Sequence, residues 1–119
     1  MEIGLLIRYG KIVPGRETEA VELFAEGEAF FTERLSKGEI TFFEPFFLST
    51  SDLEEDLGFH LIKGDAPAIF KLMEDETYRA LMTKMTLVME HPRVDLLTVG
   101  EGIPLQMERF AKVRVEIGM

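Results

Sequence analysis

Apolar residues run almost unbroken through residues 3–9 (Ile-Gly-Leu-Leu-Ile-Arg-Tyr), the pattern of a central strand. Residues 16–36 change to helical spacing. Val21, Phe24, Phe31 and Leu35 share a stripe, with small Ala20 and Gly27 at its edge and Leu23 and Phe30 on a flank outside it. Glu28 is the one charge inside that stripe, and Gly38 is a natural stop. Residues 39–48 place four phenylalanines in six positions, on both alternating faces. Ile40, Phe42, Phe46 and Leu48 point one way, and Thr41, Phe43 and Phe47 the other. Pro45 has no N–H for a ladder, which predicts an edge strand or a bulge. A two-sided apolar edge strand is hazardous unless covered, so helices on one face and a second copy on the other are expected.

Ser49–Asp52 reads as a turn, and a partner strand follows at 56–63, making a hairpin. Asp65 is placed to cap a helix at 66–74. A break at Asp75-Glu76-Thr77 starts a second helical segment to about residue 90, with Tyr78, Met82, Met85 and Met89 inward. His91-Pro92 ends it, and residues 94–99 form a fourth strand. In the tail, Pro104–Phe110 suits a short helix. Val113, Val115 and Ile117 alternate with Lys112, Arg114 and Glu116 as a strand would.

Strand, helix, strand, strand, helix, strand is the ferredoxin-like split βαβ plan. It predicts an α+β fold: a four-stranded antiparallel sheet with helices on one face, the other face closed by a homodimer partner. The expected division is a domain over 1–103 and a C-terminal extension over 104–119, a candidate dimer arm.

Composition narrows the functions. The 119 residues fit one domain, and 46% hydrophobic content predicts a packed core. The chain has no cysteine, which excludes disulfides, thiolate metal sites and a cysteine nucleophile, and suits a cytoplasmic location. A net charge of −9 opposes nucleic acid and anionic membranes. No basic leader precedes the first apolar run, so no signal peptide is expected. Two histidines without a metal-binding spacing argue against a metal enzyme, and no cofactor is expected.

The candidate chemistry centres on His60. A hairpin symmetric about residue 52 sets Glu44 opposite His60, where a carboxylate would orient the imidazole. Arg8 on the first strand would complete the group, with His60 as base, Glu44 orienting it and Arg8 stabilising a developing enolate or phenolate. Glu28 would approach from the helix above. Phe42, Phe46, Tyr78, Met82 and Met85 are the expected apolar ligand-binding wall. The competing interpretation is a structural salt-bridge network.

The element order resembles the dimeric α/β-barrel superfamily, which includes the antibiotic-biosynthesis-monooxygenase-like proteins. The resemblance covers residues 3–102. It takes in the long first helix, the broken second helical region with Glu76-Thr77-Tyr78-Arg79-Ala80-Leu81-Met82, and the closing Gly100-Glu101-Gly102. It implies a ferredoxin-like fold and dimerisation, and a cofactor-independent monooxygenase or isomerase acting on an aromatic or enolisable molecule. A non-catalytic ligand-binding or structural homodimeric module is the alternative.

Overall fold

The computed structural model describes residues 1–49 and 56–119; most of the turn expected at Ser49–Asp52 lies outside the described residues. Its elements are β1 (Glu2–Tyr9), α1 (Glu17–Ser36), β2 (Phe42–Phe47), β3 (Gly58–Asp65), α2 (Ala66–Glu74), α3 (Glu76–Val88), β4 (Arg93–Thr98) and α4 (Gly102–Glu116). The four strands form one antiparallel sheet in the order β2-β3-β1-β4. This is the α+β, ferredoxin-like arrangement expected from the element order.

Strand alternation sets the two faces. Leu5, Ile7 and Tyr9 of β1 and Ile62 of β3 are buried beneath the helices, where they join Phe31, Ile69, Leu72, Leu81 and Met85 in one core. Burying each large apolar side chain contributes roughly 1.5–3 kcal/mol. Gly58 is required by contact: a Cβ there would meet the Phe46 carbonyl oxygen at 2.3 Å, so no side chain fits beside β2.

Local chemistry starts and stops the helices. The Asp75 carboxylate accepts the N–H groups of Thr77 (2.8 Å) and Tyr78 (3.1 Å), capping α3 and fixing the break after α2. Asp65 precedes α2 as expected but makes no side-chain cap; its carboxylate lies 3.6 Å from the N-terminal ammonium. Gly38, at φ 72°, supplies the left-handed turn after α1.

Two expectations are corrected. The buried face of α1 is carried by Ala20, Gly27, Phe30 and Phe31, whereas Val21 is 67% exposed and Leu35 38%. Phe30 is drawn inward against Phe31, with their ring centroids 5.2 Å apart, and the Arg34 guanidinium covers it at 4.6 Å. The tail is one continuous helix rather than a helix followed by a strand. Among the described residues no strand lies beside Val113–Ile117 to receive backbone bonds, and a helix satisfies them internally.

Candidate functional site: an apolar pocket with one polar pair

α1 and α3 pack on each other over β1 and β3 and enclose beneath them a cavity of about 280 Å³. Its floor is Ile7, Tyr9 and His60, and its walls include Leu23, Phe24, Gly27 and Phe31 of α1 and Leu81, Met82 and Met85 of α3. Val21 and Phe47, 67% and 60% exposed, are its most accessible lining residues. Among the described residues, no lysine, arginine, aspartate or glutamate lines it.

His60 is 6% exposed and, with the phenols of Tyr9 and Tyr78, is one of the few buried side chains among the described residues that carry a polar group. Its Nδ1 lies 3.2 Å from the Tyr9 hydroxyl, and Nε2 has no hydrogen-bond partner among the described residues. The rings of Phe24, Phe43 and Tyr9 surround the imidazole at centroid distances of 5.3, 5.5 and 5.5 Å. Burial holds the imidazole at a pKa of about 4, so it is neutral at pH 7. Burial, and then the Glu28 carboxylate, push the Tyr9 phenol well above its ordinary value, so it keeps its proton. The site therefore offers a neutral hydrogen-bonding pair in an apolar enclosure.

The register separates the residues that the sequence grouped. His60 pairs with Pro45, and Glu44 pairs with Leu61. Glu44 therefore projects from the opposite sheet face and is exposed. Arg8 also leaves that face: it is paired across the ladder with Phe59 and reaches Asp95 (3.2 Å) and Asp56 (3.4 Å). Arg93 joins the same Asp56. Phe42 and Phe46 share the bare face too, Phe46 stacking on Phe59 at 4.9 Å and Phe42 lying under the Lys63 ammonium. Tyr78 is 4% exposed in the core, its phenol pushed up to about 12 by burial, and does not line the cavity. Met82 and Met85 do line it, and Glu28 acts on it through Tyr9.

Tyr9 was missed. The signal was available: alternation along β1 puts Tyr9 on the side of Leu5 and Ile7, and Arg8 on the side of Leu6.

No family profile matches the chain, and no curated protein matches it in sequence. Solved structures share its fold. A proposed antibiotic biosynthesis monooxygenase from Caulobacter crescentus is similar with a TM-score of 0.58 at 16% identity, over 84% of this chain and 91% of that one. A dimeric protein of unknown function and ferredoxin-like fold from Bacteroides fragilis matches with a TM-score of 0.58 at 10% identity, over 80% and 93%. A NIPSNAP family protein from Agrobacterium tumefaciens matches with a TM-score of 0.55 at 20% identity, over 85% and 95%. At these identities the shared property is the ferredoxin-like fold. No described helix is long and apolar enough to cross a membrane.

Proposed function

We propose that the protein binds a neutral aromatic or enolisable small molecule in the helix-side cavity, where a hydroxyl or carbonyl of the ligand meets His60 Nε2. The observation that carries this reading is the Tyr9–His60 pair, the polar feature of an otherwise apolar lining. The volume of about 280 Å³ holds roughly nine waters' worth of liquid, which suits a one- or two-ring ligand. Among the described lining residues an anion finds no cation, and it meets a neutral imidazole at the centre.

The chemistry such a site could perform is a cofactor-independent monooxygenation or isomerisation that begins with proton removal from the ligand. His60 is the candidate base, and the Caulobacter protein of the same fold is named as an antibiotic biosynthesis monooxygenase. Binding without turnover is the second reading. It is favoured by the imidazole pKa of about 4, about three units below the value at which a general base works best at pH 7.

The bare sheet face carries Leu6, Phe46, Phe59 and Leu61 at intermediate exposure, and we propose that it closes against a second copy. The Bacteroides protein of this fold is described as dimeric. A chain without cysteine suits a reducing compartment, and we assign it to the cytoplasm.

Calorimetric titration with 1-naphthol and 1-naphthoate tests the binding reading. The alcohol should bind and the carboxylate should not. His60→Phe should weaken the alcohol about tenfold, the worth of one hydrogen bond. Equal affinity for both probes, or no effect of His60→Phe, would overturn it. Oxygen uptake and deuterium exchange of bound 1-naphthol separate turnover from binding.

A further inference from the structure

α4 has no cover of its own. At 100° per residue, Ile103, Met107, Phe110 and Val113 of α4 and Ile117 just past its end fall within an arc of about 120°, interrupted by Gln106 and Arg114. These five side chains are 43% to 63% exposed. A helix of 15 residues is marginal in water by itself, and its stability ordinarily comes from burying such a stripe. The chain's radius of gyration is 16.6 Å, against about 13.5 Å for a compact domain of this length. The helix starts on the body, where Gly102 sits against Thr98 and Met1, and the longest dimension of the molecule is 53 Å.

The body has a matching vacancy. Val94 and Leu96 of β4 pair with Ile7 and Leu5 and so share the helix-covered face of the sheet. They nevertheless remain 38% and 48% exposed, because α2 packs on β1 and β3 instead of reaching β4. Charge points the same way. Residues 102–119 hold three basic side chains (Arg109, Lys112, Arg114) and two acidic ones (Glu108, Glu116), a net +1. Residues 1–101 keep ten basic and twenty acidic, a net −10. The arm and the body attract.

We propose that α4 is an exchanged arm: the Ile103–Ile117 stripe of one copy lies along the uncovered Val94–Leu96 flank of β4 in a second copy, and reciprocally. This rests on the homodimer proposed above and gives it a second contact, repeated by two-fold symmetry. The arm and the body thereby form the two parts divided near residue 103.

The cysteine-free chain makes a direct test clean. Leu96→Cys and Val113→Cys proteins are prepared separately, mixed and oxidised, and the products are read by mass spectrometry. A cross-linked pair carrying one of each is the expected result. Any of these cross-linking results would overturn the proposal: Val113→Cys joining mainly to itself, a Leu96→Cys/Val113→Cys chain closing within a monomer, or no mixed product from a protein that native mass spectrometry shows to be dimeric. The last removes the arm and leaves the sheet-face dimer standing; a monomeric wild type removes both. Met107→Glu/Phe110→Glu should raise the dimer dissociation constant at least tenfold. An unchanged constant in that folded variant also refutes the arm.

Discussion

His60→Phe should flatten the stability of the protein against pH. The unfolded imidazole titrates near 6.5 and the folded one near 4, a difference caused by burial. Between those two pH values the unfolded chain binds the extra proton, so stability falls as pH drops from 6.5 to 4. Below 4 both states are charged and the loss is complete. The full span is worth about 3 kcal/mol, and the part between pH 7.5 and 5.5 about 1 kcal/mol. For a chain of this length, 1 kcal/mol corresponds to about 4 °C in Tm. Phenylalanine matches the aromatic surroundings but leaves the Tyr9 hydroxyl unpaired, a cost of about 1–3 kcal/mol that does not depend on pH. The assay is urea unfolding of wild type and His60→Phe at several pH values from 7.5 to 4.5. The difference between the two curves cancels the carboxylates and His91, which both proteins keep. That difference should shrink as the pH falls. Parallel curves would refute the buried neutral imidazole, and with it the site's preference for neutral ligands.

Two further substitutions test the frame around the cavity. Gly27→Ala should stabilise by up to about 1 kcal/mol in thermal unfolding, since a Cβ there meets nothing within 4 Å and alanine is the better helix former; a lower Tm would show that the cavity wall is tighter than described. Asp75→Ala should cost about 1 kcal/mol by removing the cap from Thr77 and Tyr78, with Asp75→Asn recovering most of it, as followed by urea denaturation.

The element order was legible because the periods are clean. β1 is a near-continuous apolar run, α3 repeats Tyr78, Met82, Met85 at helical spacing, and Asp75 advertises a new helix start. The β2–β3 register was not. Phenylalanines occupy both faces of β2, so pairing His60 with Glu44 or with Pro45 turns two of them toward the helices either way. That difference of one residue put Glu44 on the face away from His60, and the alternation along β1, with Ile7 opposite His60, put Arg8 there too. The phase of α1 was blurred by Phe30-Phe31, adjacent rings that both bury. The end of α4 misled because three alternating β-branched residues mimic a strand, and only the missing neighbour strand decides against it.

Pro45 has a consequence for how this protein avoids aggregating. The segment Phe42–Phe47 joins four aromatic rings on the outermost strand, a composition that in isolation favours fibril-like stacking. Glutamate and proline at its centre act as gatekeepers: one brings charge, and the other withholds an N–H from any strand that would add to the edge. Chain-to-chain growth through this edge is thereby disfavoured, and the proposed assembly would use faces and helices, where it can close on itself and stop.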